Sequence, residues 1–346
     1  MKRKLFFYRL LLGLNIVFAS LLLLTLFSYF FNVSGFLSVL SLAVPLLYVI
    51  NAVFLCFWLV KRKTVLLISA GLLLISHIVF GSFYKINFED SNPKKKKELK
   101  VLSYNVWGFN KNEWIREPNI GDKITEFISK QNPDILCLQE HSRIRYQQLR
   151  QYTYRSETPK TIPKSIQAIF SKFPIIDEGS LNLPNTPNNV IFADILIGND
   201  TIRVYNIHLQ SFNIVPNTEI LTEEKTTKRT YKKINETFEK QLEQAKIIRD
   251  HMNSINYRKI IMGDFNNTQF SNVYRTINNN FQDSFLEKGS ALGKTYELFG
   301  FPMRIDYIFA DNNFEFTSHT NFDIKLSDHY PVMATVKLKS DKGAVD

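Results

Sequence analysis

Lys259-Ile260-Ile261-Met262-Gly263-Asp264-Phe265-Asn266 is a short apolar run that breaks into a turn signal carrying a carboxylate and an amide. Its first half is rich in strand-favouring residues, so a buried strand is predicted over 259–262. A strand holds its last residue rigidly, which makes strand ends the natural place to converge reactive groups from distant parts of a chain. The arrangement recurs along the sequence. Asn105 stands in Ser-Tyr-Asn-Val-Trp, Glu140 closes Leu-Gln-Glu, and His208 stands in Tyr-Asn-Ile-His-Leu. Asp264 and Asn266 stand in Gly-Asp-Phe-Asn, Asp306 in Arg-Ile-Asp-Tyr, and Asp328 with His329 in Ser-Asp-His-Tyr-Pro. Taken singly, each has an ordinary explanation as a turn residue or a hydrogen-bonded strand terminus.

Further strands are expected over 100–107, 134–139, 168–171, 190–197, 201–209, 304–309 and 332–338. Helical spacing of apolar residues appears over 120–130, 234–255 and, more briefly, 273–277. Many short strands with a few helices between them predict an α+β sandwich of sheets flanked by helices. The stretch 212–231, rich in Thr, Glu and Lys, is the one long segment without a pattern.

The first 83 residues have a different character. They contain no Asp or Glu, and three apolar blocks, about 5–31, 36–60 and 64–83, are each about as long as the ~20 residues that cross a bilayer. Three transmembrane helices are therefore expected, followed by a basic tether over 84–98 and a catalytic domain over 99–340. Asn51 and His77 fall inside spans and are expected to bond between helices. Lys2, Arg3, Lys4 and Arg9 flank the first block, Lys61, Arg62 and Lys63 separate the second from the third, and the turn 32–35 is uncharged. By the positive-inside rule these flanks lie in the cytoplasm, and three crossings place the domain outside, although the lysines at 94–97 favour the opposite side. Of the net charge of +11, +7 lies in the apolar segment and +3 in the tether. The near-neutral remainder carries no electrostatic footprint for nucleic acid. Cys56 and Cys137 offer no disulfide within the domain.

In motif identity and order, the six strand-end motifs together resemble the endonuclease/exonuclease/phosphatase family, also called DNase I-like, over about 99–338. The resemblance implies a two-sheet β-sandwich with its active site where strands of both sheets end. It implies Glu140 as the principal Mg2+ ligand, with Mn2+ a possible substitute. Asn105 would assist the metal or orient phosphate, and Asp328 would complete the metal site or assist the leaving group. It further implies Asp264 as the group that activates water, His208 and Asn266 as donors to phosphate oxygens, and Asp306 as the carboxylate that orients His329. Hard oxygen ligands and nearby donors suit charge that develops on phosphoryl oxygens. No HExxH or paired CxxC spacing favours zinc, and no Gly-x-Ser-x-Gly elbow favours a serine hydrolase.

The branch is less legible. His141 and Ser142 stand where apurinic endonucleases carry Thr-Lys, and the segments before Asp264 and Asp306 lack the inositol-phosphatase pattern. A membrane-anchored nuclease or phosphodiesterase is expected first. The alternatives are a phospholipid-directed phosphoesterase resembling sphingomyelinases, which the anchor would serve by concentrating the domain at lipid, and a catalytically silent membrane-tethered binding protein. The substrate is thus a phosphate ester, nucleic acid or phospholipid. His141, adjacent to Glu140 on an extended chain, is expected to point away from the site.

Overall fold

The computed structural model describes residues 2–31, 36–87, 98–212, 224–298 and 300–339. The chain forms two compact units.

The first unit comprises Met1–Phe83 with Thr218–Leu242 and Asn267–Thr276. Two of its helices, Lys2–Phe30 and Leu37–Val60, are long and apolar enough to cross a membrane. The third apolar helix, Leu66–Phe80, has 15 residues, or about 22 Å at 1.5 Å per residue, short of a hydrocarbon core of ~30 Å. The expectation of three long spans is corrected to two. Residues at the start of the third block go into a turn, where Leu66 N–H donates to the Lys63 carbonyl at 3.1 Å, and the helix stops at Gly81, whose φ is 73°. Asn15 joins the three helices, donating to Ser69 Oγ at 2.8 Å and accepting from Trp58 Nε1 at 3.0 Å. Asn51 bonds across helices as expected, donating to the Phe18 carbonyl at 3.3 Å. The His77 side chain is exposed. Phe270 packs edge-on against Phe80, and Gln269 Nε2 donates to the Phe80 carbonyl at 3.0 Å.

The second unit holds two six-stranded sheets. In the first, β1 (Glu98–Asn105) lies beside β2 (Ile135–Gln139) in parallel, flanked by β4 (Ala168–Ser171) and β3 (Tyr154–Glu157) on one side. On the other side stand β14 (Val332–Leu338) and β13 (Phe314–Asn321). In the second sheet, β7 (Asp200–His208) and β8 (Arg258–Asp264) are parallel. Beyond β7 come β6 (Val190–Ile197) and β5 (Ile175–Ser180), and beyond β8 come β12 (Asp306–Ala310) and β9 (Gln282–Asp283). A hairpin of β10 (Tyr296–Leu298) and β11 (Phe301–Met303) stands apart.

Alternation sorts the side chains. Val101, Cys137 and Ile169 of the first sheet face Ala193, Val204, Ile260 and Ile308 of the second, all fully buried. Leu102, Tyr104, Leu136 and Leu138 turn the other way and pack on Ile124 and Ile128 of the helix Ile120–Gln131. The α+β sandwich expected from the strand pattern is the observed fold. Among the described residues, β3, β5, β9, β10, β11 and β13 were not anticipated. Part of the patternless stretch lies outside the described residues; from Glu224 onward it belongs to the helix Glu224–Asn253, which begins earlier than apolar spacing indicated. In the expected tether, the four lysines lie outside the described residues. Lys85 instead bonds to the Ala291 carbonyl at 2.9 Å within the second unit.

Glycine is required at position 263. Its φ is 140°, and an added Cβ would stand 2.0 Å from the backbone oxygen of Ile207, its partner in the β7–β8 pairing. Gly263→Ala should therefore cost about 3 kcal/mol or more, or abolish folding. Denaturant unfolding of the variant at the wild-type midpoint would show the strand tolerates a side chain.

Candidate active site

The topology explains the convergence. β1 and β2 run in parallel, as do β7 and β8, so the ends of all four strands lie at one edge of the sandwich. Asn105 pairs with Gln139, and His208 pairs with Asp264. β12 is antiparallel to β8, so its first residue, Asp306, stands opposite Asp264. β14 is antiparallel to β1, with Ser103 opposite Val332, so the residues that precede it, Asp328 and His329, arrive at the same edge.

Asp264 is at the centre. Its Oδ1 accepts the Asn266 N–H at 2.7 Å, while Oδ2 accepts from Asn266 Nδ2 at 3.1 Å and from Asn105 Nδ2 at 3.2 Å. His208 Nε2 and His329 Nε2 each lie 3.6 Å from Oδ2. Asn105 Nδ2 also reaches Glu140 Oε1 at 3.4 Å, and His208 Nε2 stands 3.9 Å from the same oxygen. His329 Nδ1 lies 2.9 Å from Asp306 Oδ2. Ser327 Oγ donates to the Asn105 carbonyl at 2.8 Å and lies 3.1 Å from Asp328 Oδ1, fixing the last carboxylate beside the others. All eight residues expected at the site are thus brought together.

The electrostatics are one-sided. Among the described residues, no lysine or arginine pairs with Glu140, Asp264, Asp306 or Asp328; their cationic neighbours within ion-pair distance are the two histidines. Burial raises the Asp264 pKa to about 6, with Asp306 adding to the rise and His329, His208 and the Asn266 N–H opposing it. Asp328 is raised by burial and by Glu140 against the pull of His329. Burial disfavours the charge on His329, but Asp306, Asp264 and Asp328 outweigh it and hold its pKa well above the usual imidazole range.

Asp264, Asp306 and His329 offer atoms within 4.8 Å of one another, close enough to share an ion. A protonated imidazole has no lone pair to give, however, so this trio reads better as a charge-balanced network. Glu140 is the carboxylate open to solvent, its side chain 35 % exposed. The carboxylates gathered here supply hard oxygen donors of the kind a divalent cation takes. The buried Oδ1 of Asp306 and Nδ1 of His208 have no hydrogen-bond partner among the described residues.

Sequence reasoning missed the groups beneath and beside the site. Gln139 Nε2 of one sheet donates to Asn206 Oδ1 of the other at 2.7 Å, and Asn206 Nδ2 donates to the Leu138 and Ala168 carbonyls. A polar residue at an inward position of an apolar strand was the available signal. Thr295, whose Oγ1 accepts the Asp306 N–H at 3.0 Å, and Tyr296, whose ring lies 5.0 Å from that of His329, carried none. His141 does point away from the site, but it is buried rather than peripheral, enclosed by Phe109, Tyr146 and Phe170. Burial pushes its pKa down to about 3, helped by Arg143 and Arg155.

Residues 102–329 match the sequence profile of the Endonuclease/Exonuclease/phosphatase family. The chain belongs to that family. It is accordingly a hydrolase of phosphate esters. Residues 8–83 match a second profile, a domain of unknown function designated DUF8431. Among solved structures, the endonuclease/exonuclease/phosphatase from Bacteroides vulgatus is similar at 18 % identity with a TM-score of 0.56, covering 70 % of this chain and 100 % of that one. Truncated Caenorhabditis elegans TDP2 has 18 % identity and a TM-score of 0.53, covering 70 % and 98 %. D. rerio TDP2 complexed with single strand DNA product has 15 % identity and a TM-score of 0.52, covering 70 % and 100 %. At these identities the likeness is one of fold. No curated protein matches significantly.

In metal-free protein, His329 should stay protonated at pH values where an ordinary imidazole is neutral, and Asp306→Asn should lower its pKa. The raised pKa means that this pairing contributes stability below the ordinary imidazole value and loses it as pH rises through the folded-state value. An NMR titration in EDTA that finds His329 titrating near 6.5 in both proteins would break the pairing.

Proposed function

We propose that the protein is a membrane-anchored, Mg2+-dependent phosphodiesterase that hydrolyses a phosphodiester by in-line attack of water. The observation that carries this reading is the convergence of Glu140, Asp264, Asp306 and Asp328 with no lysine or arginine to balance them among the described residues. A divalent cation bound by Glu140, with Asn105 and Asp328 completing the site, would neutralise that charge and polarise the phosphoryl oxygens.

The remaining roles follow from position. Asp264, held by Asn105 and Asn266, is oriented to align water, and burial raises its pKa toward the range in which a carboxylate can accept a proton near neutral pH. His208 and Asn266 stand beside it to donate to phosphate oxygens. His329, kept cationic by Asp306, faces the negative charge that develops on the phosphoryl group. The anchor rests on the first unit. Phe6, Val60 and Ile78 are more than 70 % exposed, and only about a third of each long helix's apolar window is buried. A water-soluble surface rarely shows so much contiguous apolar area. The same anchor favours a phospholipid as second substrate class. With two long helices, the three-crossing argument for an outward-facing domain loses its premise.

Glu140→Gln should reduce Mg2+-supported turnover by 10² or more with the fold intact, since the principal ligand loses its charge at nearly constant volume. Purified protein offered single-stranded DNA, RNA, sphingomyelin vesicles and a generic diester in parallel would sort the substrates, and near-normal activity of the variant across a Mg2+ titration would remove Glu140 from the metal site. The anchored protein should stay with membranes through an alkaline carbonate wash; its release to the supernatant would exclude integral insertion.

A further inference from the structure

The loop that leaves β1 carries two tryptophans that the roles above do not use. The rings of Trp107 and Trp114 lie nearly parallel, with centroids 4.0 Å apart and planes inclined by 16°. Trp114 is 46 % exposed, so its contact with Trp107 does not bury it as a core residue would be buried. The start of the loop is fastened to the site at three points. Val106 N–H donates to the Gln139 carbonyl at 3.0 Å, Trp107 N–H to Asn105 Oδ1 at 3.1 Å, and Gly108 N–H to the Glu140 carbonyl at 2.9 Å.

The backbone there is unusual. Trp107, Phe109, Asn110 and Glu113 all hold positive φ, between 46° and 58°. Each such residue costs energy, and a cluster of them persists where the surroundings over-determine it, commonly at ligand clamps. The loop also lines a cleft of about 650 Å³ whose wall carries Lys111, Arg116 and Arg145 together with Glu113, Glu117 and Asp122.

We infer that Trp107 and Trp114 form a platform on which the nucleobase next to the scissile phosphate stacks, so that this pair selects single-stranded nucleic acid as substrate. The inference rests on the phosphodiesterase reading for its chemistry. A pair of rings already stacked face to face continues naturally into a base, and such stacking is worth ~1–3 kcal/mol per base. The charged residues exposed on the loop, Lys111, Glu113, Arg116 and Glu117, argue against its entering a lipid phase, where charged side chains are costly.

The test uses the full-length protein, a single-stranded oligonucleotide and the same oligonucleotide with abasic positions. Trp114→Ala should raise KM on the base-bearing strand about tenfold or more, the scale of one lost stacking contact. The effect should shrink to within about twofold on the abasic strand, and Trp114→Phe should restore most of the loss. Equal effects on both strands, or none on either, would overturn the platform. Binding is measured separately from turnover by tryptophan fluorescence in Glu140→Gln. Quenching by the base-bearing strand and not by the abasic one supports the platform even if no phosphoester is cleaved, which would count against the phosphodiesterase reading alone. Absent or equal quenching sinks the platform while leaving that reading standing, and a Trp114 effect confined to phospholipid vesicles would reassign the loop to lipid.

Discussion

Four carboxylates crowd one edge of a protein sandwich, and their repulsion is the constraint on which the rest of the site depends. Burial makes it worse, since a charge removed from water is disfavoured and like charges interact strongly at low dielectric. The protein answers in several ways. Amide donors from Asn105 and Asn266 hold Asp264, a histidine made cationic by its neighbours absorbs one charge, and Glu140 is left facing solvent. What remains is an electronegative mouth suited to a small hard cation and, through it, to an anionic ester.

That crowding is tolerable because the scaffold beneath it is stiff. The two sheets meet through an apolar interior over most of their area, but directly under the mouth they are joined by Gln139 and Asn206: the Gln139 amide donates to Asn206, which donates in turn to the Leu138 and Ala168 carbonyls. Such directional bonds fix register as well as distance, which loosely matched apolar faces do less well. Pairs of parallel strands bring four strand ends to one edge, and antiparallel neighbours bring strand beginnings to meet them.

Much of this was legible in the sequence. The eight residues named from the sequence stand at or next to the ends of apolar runs, and because strand ends meet at one edge of the sandwich the fold brings them together. Strands with clean apolar character, such as β4, β6 and β14, were placed at or near their observed bounds. β13, with the sequence Phe-Glu-Phe-Thr-Ser-His-Thr-Asn, was overlooked because its second half is polar and carries a register shift. The third apolar block read as a span because composition counts every apolar residue, whereas the helix loses residues to the turn before it and to the glycine after it. Thr295 and Tyr296 reach the site through the tertiary fold alone, so no local pattern could have marked them.

Glu140 holds a φ of 50°, in the left-handed region that residues with a side chain rarely occupy. Glycine would occupy it without penalty, and its introduction would also relieve the crowding of negative charge. The position is therefore one where selection for a sturdier fold and selection for catalysis pull in opposite directions: the most comfortable residue there is one that could bind nothing. On the proposed role of Glu140, a screen for thermal tolerance alone would drift toward inactive proteins at this codon.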